Sequence, residues 1–467
     1  LRSTGSATYD PKVDSAIQAN VSLLNWVVND PKQPLPAAPV SAQLQVEGSL
    51  RQQIAEVRQF AVAVMQGNKP AGNIGLSGRC NLTHYASQFS FELANLNELA
   101  LRPVLGAALG RNKLVSVSLN GKGTGSYDPA ADSTIKADLK IANLVAEDPQ
   151  KTLPKTPLSA EFQVDGSIRQ QVLDLKQLSA ALTPTARAQN QLQLQGRVDL
   201  KKTNASPSQL SLKAASLDLT PYYDLFAAPA DPKAPVAPPK PTPVTKPGEL
   251  APIGLPFQQF TADVQIDRFY LREIAITNWQ ATAKINRGEV MLKPFQLSLN
   301  GAPVSATGVV NLAVPGFHYD VVLQADRIPI EPIANSFAQG TPGQFKGDLI
   351  AQAQIKGSGT TGASLQKNLS GQLSLSLTNL NFEVVGPKMK RLLEPIALVL
   401  RIPELTATPL NWVKAKADIG RGQINLNEFA VMSQAFLANG RGTVRIAEVL
   451  TNSPLDIPVQ LSLRRSL

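Results

Sequence analysis

Residue types that usually carry catalysis or bind metals are scarce in this chain. Of its 467 residues, two are His and one is Cys. His84 and His318 lie far apart in the sequence, and neither has a second ligand at the spacing of a metal site. Cys80 occupies the place that Val198 takes in a related segment, which indicates a small apolar position in the core. We therefore predict no catalytic residue, no metal site and no cofactor, and hence a protein that is not an enzyme.

One glycine-rich stretch, GKGTGS at 121–126, superficially resembles a phosphate-binding loop. It lacks the lysine and hydroxyl ending of such loops, and a strand-like pattern follows it instead of a helix. We interpret this stretch as a turn between strands. The carboxylate of Asp10 in the motif YDP precedes a proline, which is typical of the first residue of a turn.

Composition limits the class of protein further. The chain is 43% hydrophobic, which is enough for a buried core, and its formal net charge is +10. Lys and Arg alternate with Asp and Glu along the whole chain instead of forming basic runs. This distribution argues against a nucleic-acid partner. The length is compatible with three ordinary domains or with one long repetitive body.

An internal repeat with a period of 118 residues organises the first half of the chain. From Tyr9 to Val64, about 25 of about 56 positions are identical to the positions 118 residues later, without a gap. The motif GRCNL at 78–82 returns as GRVDL at 196–200. We expect the two copies to match strand for strand, with Gly78 and Gly196 at equivalent turns or strand starts.

Side chains alternate between apolar and polar within each copy. In STIKADLKI, the residues Ile135, Leu139 and Ile141 point one way while the intervening lysines and aspartate point the other. Short strands of this kind, separated by Gly, Asn and Pro, indicate an antiparallel sheet with one apolar face. Helical patterns are confined to four short segments, at 102–110, 221–226, 331–337 and 387–400.

The predicted domain organisation follows from the repeat and from one proline-rich segment. We assign residues 1–118 and 119–227 to two repeat units, 228–256 to a linker and 257–467 to a different C-terminal region. The linker is too rich in proline to join a ladder of strands, and we interpret it as an extended spacer.

The C-terminal half resembles the AsmA-like family, of the AsmA and TamB type. RGEVMLKPFQLSLNGAPVSATGVVNL at 287–312 resembles a passage in which glycine turns separate strands that lead to a closing G-x-x-x-L strand. The stretches at 323–359 and LQKNLSGQLSLSLTNLNFEVVG resemble the elements that follow. The resemblance covers most of residues 255–450. It implies an all-β fold, an elongated antiparallel sheet built from repeats and curled into an open groove (a β-taco), with a few short amphipathic helices.

The resemblance also implies a function. Proteins of this kind are related to the bridge-like lipid transfer proteins. The implied role is phospholipid transfer between the inner and outer membranes, and support of outer-membrane assembly. The implied location is the periplasm, with a tether to the inner membrane through an N-terminal helix that this chain lacks. Phospholipid acyl chains and membranes are the implied partners, and envelope protein partners are not specified.

A sheet with one apolar face must cover that face, either with another sheet or by curling upon itself. If the face stays open, it suits acyl chains, and the side chains expected to line it are Ile135, Leu139, Ile141, Phe162, Val164, Leu192, Leu194, Val264, Ile266, Leu297 and Leu299. The alternative is a structural rod of stacked β-sandwich domains without a lipid ligand. Both architectures produce the same alternation, so the sequence leaves the choice open.

Overall fold

The computed structural model describes residues 1–10, 14–26, 40–66, 69–149, 153, 156–201, 206–226, 248–255, 258–337, 343, 345–380, 410–434 and 436–463. Among these residues the chain divides into two compact units. Unit 1 comprises Leu1–Lys201 and Leu210–Val236, and unit 2 comprises Lys202–Gln209 and Ala237–Leu467. The finer boundaries at 118, 227 and 256 stay predictions. The helix predicted at 387–400 and most of the predicted linker lie outside the described residues.

Unit 1 consists of strands and two short helices. Its strands are β1 (Arg2–Thr8), β2 (Ser15–Trp26), β3 (Val40–Arg51), β4 (Ile54–Gln66), β5 (Lys69–Asn81), β6 (Ser87–Asn97), β7 (Lys113–Tyr127), β8 (Ser133–Glu147), β9 (Leu158–Arg169), β10 (Val172–Leu182), β11 (Gln191–Asp199) and β12 (Ser208–Asp218), the first two residues of which belong to unit 2. The helices are α1 (Glu98–Leu109) and α2 (Thr220–Phe226).

From β1 to β11, each strand pairs with the next strand of the chain, always antiparallel. The alternation explains this arrangement, because parallel strands covered on both faces would be apolar throughout. Hairpin connections also suffice for antiparallel neighbours, whereas parallel strands need long crossovers. The predicted fold class, all-β with an open antiparallel sheet and few short helices, is confirmed.

The two copies of the repeat share one register. Val57 lies opposite Gly78 in the first copy, and Leu175 lies opposite Gly196 in the second. Directly after each pair the register shifts by a β-bulge, again at equivalent positions. The prediction that Gly78 and Gly196 are equivalent is confirmed, but both lie inside strands and not at turns or strand starts.

The interpretation of GKGTGS as a turn is wrong, because these residues lie inside β7. The glycines alternate along the strand and face bulky side chains of the neighbouring strands. A Cβ on Gly125 would come within 2.8 Å of Phe89 Cε1, and one on Gly121 would come 2.5 Å from Leu139 Cδ2. Glycine is therefore required here by close packing across the sheet.

Helices α1 and α2 cover one end of the sheet of unit 1. Helix α1 begins four residues before the predicted segment, because the Asn97 side chain accepts a hydrogen bond from Leu99 N at 3.0 Å and caps the helix. Leu109 of α1 and Leu225 of α2 are buried with apolar side chains of three strands: Leu114, Val117, Leu144, Ala146 and Leu158.

Unit 2 repeats the architecture of consecutive antiparallel pairing. Its strands are β13 (Gln259–Leu271), β14 (Ile274–Asn286), β15 (Glu289–Leu299), β16 (Ala302–Asn311), β17 (His318–Pro329), β18 (Asp348–Ser358), β19 (Ser370–Thr378), β20 (Leu410–Gly420), β21 (Gln423–Ser433), β22 (Phe436–Arg445), β23 (Leu455–Asp456) and β24 (Val459–Leu463). Each strand from β13 to β22 pairs with the next, and β24 also pairs with β22. Helices α3 (Glu331–Phe337) and α4 (Gly362–Asn368) lie at opposite ends of β18.

Candidate functional site

An unbroken row of small and apolar residues crosses eight strands of unit 1, from β4 to β11. Each member is paired directly with the next, and directly paired residues of an antiparallel sheet point to the same face. The row is Phe60, Leu76, Phe91, Gly123, Ala137, Val164, Leu178 and Leu194. It contains two of the side chains predicted from the sequence, Val164 and Leu194.

A second row runs beside the first on the same face. It consists of Val62, Ile74, Leu93, Gly121, Leu139, Phe162, Ala180 and Leu192. Ile135 and Ile141 lie two residues further along β8 on either side of these rows. The structure therefore brings all seven predicted residues of unit 1 onto one face, here called the apolar face. Whether this face binds lipid stays a prediction.

The apolar face is partly open to solvent. Ile135 is 44% exposed and Leu76 is 42% exposed. The other predicted residues of unit 1 are half-buried. At the end near α1 and α2 the face is covered, and Ile141 packs against the buried cluster there. Open and covered parts thus follow each other along β8.

Four predicted residues lie in unit 2, and the sheet brings them together on one face as well. Val264 on β13 pairs with Ala281 on β14, and Ala281 pairs with Phe295 on β15. Leu297 and Leu299 follow Phe295 by two and four residues along β15, so they point to the same face. Ile266 follows Val264 by two residues, so it points to the same side.

These four side chains differ in exposure. Ile266 is only 4% exposed. Its cross-strand partner Trp279 packs edge-on against Phe269, with ring centroids 6.1 Å apart. Leu299 packs against the buried Ala302, Ala325 and Ile328 beside α3. Val264 and Leu297 are half-buried. Ile266 and Leu299 therefore belong at least in part to the core of unit 2.

The opposite face of unit 1 is polar, and a depression of about 860 Å³ is lined by residues of both faces on strands β4 to β10. Ser77, Thr124 and Gln163 line it together with an ion pair in which Lys136 Nζ lies 3.0 Å from Asp165 Oδ2. Six residues of the first row line the same depression: Phe60, Leu76, Phe91, Gly123, Ala137 and Val164.

His84 and Cys80 belong to unit 1, and His318 belongs to unit 2. His84 is in the turn after β5, where its backbone N–H donates to Asn81 Oδ1 at 3.3 Å. His318 is the exposed first residue of β17. Cys80 is half-buried on β5 as a free thiol. Among the described residues, no three His, Cys, Asp or Glu side chains form a group that could hold a metal ion.

Among the described residues, two carboxylates have lowered pKa values, and their positions indicate structural roles. Burial alone would raise the pKa of Asp218, but hydrogen bonds from Thr220 and the Arg187 guanidinium outweigh burial and lower it. Arg187 donates to Asp218 Oδ2 from Nε at 3.0 Å and contacts it from Nη2 at 2.8 Å. Thr185 Oγ1 donates to the same oxygen at 3.1 Å. These bonds tie the segment between β10 and β11 to the end of β12.

Glu249, at the end of the predicted linker, was not recognised from the sequence. Its carboxylate accepts hydrogen bonds from Thr360 N at 2.6 Å and from Thr361 Oγ1 at 2.5 Å. Hydroxyl donors, Ser364 and then Thr361, and the Thr360 N–H lower the pKa of Glu249 to about 2. A backbone hydrogen bond holds the same segment to unit 2, since Ile253 N donates to Leu312 O at 2.9 Å. Residues 248–255 are therefore attached to unit 2, and the spacer interpretation does not hold for them.

The comparison with protein families identifies the class of protein to which this sheet, with one apolar and one polar face, belongs. The family model described as "AsmA family" matches residues 170–429, more than half of the chain. The chain belongs to the AsmA family. The match begins inside the second repeat copy, earlier than the resemblance over 255–450 indicated. No curated protein and no solved structure was found to match the chain.

Membership of the family carries two general properties. AsmA family proteins are envelope-associated, and they are generally not enzymes. Among the described residues, no helix combines the length and the apolar character that crossing a membrane requires.

Proposed function

We propose that this protein is a non-enzymatic envelope protein that carries phospholipid acyl chains on its apolar face. In this way it conducts or supports phospholipid transfer between the inner and outer membranes and outer-membrane assembly. The observation that carries the proposal is the unbroken row from Phe60 to Leu194. With neighbouring strands about 4.8 Å apart, eight strands extend about 34 Å. A partly open apolar surface of this length suits an acyl chain, which is apolar throughout.

The alternative, a rod of β-sandwich domains, requires a second sheet packed on the apolar face. In the described residues of unit 1, the strands from β1 to β11 follow one another within one sheet. Side chains in the middle of the apolar face, such as Leu76, stay exposed. Both observations favour an open face over a sandwich.

A pair of substitutions on adjacent residues of β11 tests the proposal. Leu194 is half-buried on the apolar face, while Gln193 is exposed on the polar face. Leu194→Glu places a charge in the path of an acyl chain, at a desolvation cost of several kcal/mol for the contact. Gln193→Glu adds the same charge to the polar face. We expect only Leu194→Glu to abolish binding of a fluorescent phospholipid, with both circular dichroism spectra unchanged.

Mass spectrometry of lipids released from the purified wild-type protein supplies the second measurement. Bound phospholipid is expected. Wild-type protein that never binds lipid, or Leu194→Glu protein that unfolds as a closed core would, supports the structural rod instead.

The periplasmic location and the inner-membrane tether are part of the proposal and are supported by family membership. Fractionation of cells that express the full-length protein tests them. Recovery of the protein in the cytosolic fraction would contradict this location.

A further inference from the structure

The apolar face of unit 1 is open at one end of its strands and closed at the other. Ser87, the first residue of β6, pairs with Tyr127, the last residue of β7, so these residues lie at the same end of the sheet. On β7, exposure falls from 52% at Tyr127 to 3% at Val117. On β6, it falls from 36% at Phe89 to 6% at Leu96. The end that carries Tyr127 is here called the open end.

Strand β8 shows the same change residue by residue. Ile135, Ala137, Leu139 and Ile141 are spaced by two residues, so all four point to the apolar face. Ile135, near the open end, is 44% exposed, whereas Ile141 packs against the buried cluster formed by α1, α2 and three strands. Leu144 belongs to this cluster and is 8% exposed. The cluster therefore closes the apolar face on this side, and it is here called the apolar wall.

The distance from the open end to the apolar wall matches the length of an acyl chain. Ile141 follows Ile135 by six residues, which correspond to about 20 Å in an antiparallel strand. Leu139, the last residue of the apolar face before Ile141, is about 14 Å from Ile135. An acyl chain in one leaflet of a bilayer spans about 15 Å, half of a hydrocarbon core of about 30 Å. One chain laid parallel to β8 therefore extends from the open end to the wall.

The direction across the strands offers a longer surface. The row from Phe60 to Leu194 is unbroken over eight strands. Its length of about 34 Å exceeds the length of one chain, which is about 15 Å. Several chains that lie parallel to the strands can therefore be placed side by side along this row.

The difference between the two ends determines how a lipid is oriented. Its headgroup is polar, and burial of polar groups without hydrogen-bond partners is unfavourable. Of the two ends, the open end exposes the apolar face to water, and Tyr127 there combines an apolar ring with a hydroxyl. Tyrosine is enriched where hydrocarbon meets polar headgroups. The terminal methyl group of the chain therefore points to the apolar wall.

We propose that the apolar wall sets an upper limit on the length of the acyl chain that unit 1 accepts, and that the methyl end of the chain stops at Ile141. Ile141 is thereby a specificity-determining residue for chain length. This inference rests on the proposed function, and it adds the orientation of the bound lipid and the residue that limits its chain.

Substitutions at Ile141 and Ile135 test the proposal, because both isoleucines lie on the apolar face of β8 but at opposite ends of the open stretch. Ile141→Ala shortens the side chain at the wall to a methyl group, whereas Ile141→Trp adds a bulky ring there. Ile135→Ala and Ile135→Trp make the same changes near the open end. All four substitutions alter the apolar face, so the quantity compared is the chain-length limit and not the total amount of bound lipid.

Each protein is incubated with vesicles that contain equal amounts of phosphatidylcholines differing only in the length of one acyl chain. Mass spectrometry then quantifies the bound lipids. A chain within the limit moves from one apolar environment to another, so all such lipids should be bound about equally. Each methylene group beyond the limit protrudes into water at the open end and should lower the bound amount about fourfold.

We expect wild-type protein to show such a limit. Ile141→Ala should move it to chains longer by about two methylene groups, because space opens at the wall. Ile141→Trp should move it to shorter chains, and both Ile135 variants should keep the wild-type limit. Circular dichroism verifies folding of each protein. If Ile141→Ala does not fold, Ile141→Val replaces it, with an expected shift of about one methylene group.

The other outcomes are distinguishable. Wild-type protein that binds none of these phospholipids contradicts the proposed function itself. Wild-type protein that binds chains of every length equally has no limit, which overturns only the present inference. The inference is also overturned if the Ile141 variants keep the wild-type limit, or if the Ile135 variants move it as far as the Ile141 variants do.

Discussion

The ring of Phe91 on β6 covers Gly123 on β7, directly across the antiparallel pair. A Cβ built on Gly123 would lie 2.7 Å from Phe91 Cζ and 2.8 Å from the carbonyl oxygen of Lys136. Both distances are shorter than van der Waals contact. The apolar face at this point therefore consists of an aromatic ring resting on bare backbone, and the alternating glycines of β7 are part of its surface.

Substitution Gly123→Val should destabilise unit 1. The new side chain must displace the Phe91 ring and strain the backbone, at a cost of about 1–3 kcal/mol. Urea denaturation followed by circular dichroism measures the effect. Gly106→Ala in α1 is the control, since nothing lies within 4 Å of its Cβ, and alanine should leave stability unchanged or raise it by up to about 1 kcal/mol. Equal effects of both substitutions would contradict the packing described.

Asp218 should make stability depend on pH in the acid range. Its folded pKa lies below the ordinary value of 3.8. The stabilisation is therefore present above about pH 4 and is lost as the pH falls through the folded pKa. Asp218→Asn should cost about 1–3 kcal/mol at pH 7, since Arg187 loses a charged partner.

Thermal midpoints of wild type and Asp218→Asn measured from pH 7 to pH 2 provide the check. The difference between the two proteins should shrink as the pH falls below about 4. A difference that stays constant over this range would show that the carboxylate charge does not stabilise the fold.

Glu249→Gln should loosen residues 248–255 without unfolding unit 2. The uncharged amide is a weaker acceptor for the Thr360 N–H and the Thr361 hydroxyl. Hydrogen exchange at Ile253 N and Gly316 N reports on the change, because Ile253 N donates to Leu312 O and Gly316 N donates to Leu250 O. Since the pKa of Glu249 is about 2, wild-type protection should persist at pH 4.5 and decline toward pH 2. Unchanged exchange in the variant would disprove this anchoring.

Deletion of residues 232–246 should leave the thermal midpoint nearly unchanged. Proline removes backbone donors, and the segment offers few apolar anchors. These residues lie outside the described part of the chain, so the expectation comes from sequence alone. A fall in the midpoint as large as that caused by Gly123→Val would indicate that the segment packs.

Asn112→Ala should weaken the covered end of unit 1. Asn112 is 5% exposed, and its Nδ2 donates to Leu225 O at 2.7 Å, which links the third residue after α1 to the last turn of α2. Loss of this donor leaves a buried carbonyl without that bond, at about 1–3 kcal/mol. Differential scanning calorimetry measures the thermal midpoint of each variant. Gln193→Ala on the polar face is the control, and its midpoint should stay near that of wild type.

The strands and their shared face could be predicted because the alternation has the period of a strand. Ile135, Leu139 and Ile141 fall on one side by that period alone. The repeat also predicted that Gly78 and Gly196 are equivalent, because residues in an ungapped repeat keep their partners. Local periodicity thus contains most of the information about the pairing.

Contacts between distant residues could not be predicted in the same way. The start of α1 at Glu98 depends on the Asn97 cap, whereas the sequence pattern predicted a helix only from residue 102 onward. The glycines of β7 were mistaken for a turn, because the requirement for glycine comes from side chains on neighbouring strands. Glu249 meets Thr360 across 111 residues, and no local pattern indicates that contact.

The bulges after Val57 and Leu175 have a consequence for how such a chain can grow. Each block of 118 residues carries its own bend and ends in the register in which it began. A block duplicated in tandem would pair with the strands next to it in the register that the existing copies already use. Every existing strand would keep the same side chains on the apolar face and on the polar face. The length of this architecture can therefore change in modular steps of six strands, about 29 Å each, as gene duplication would produce.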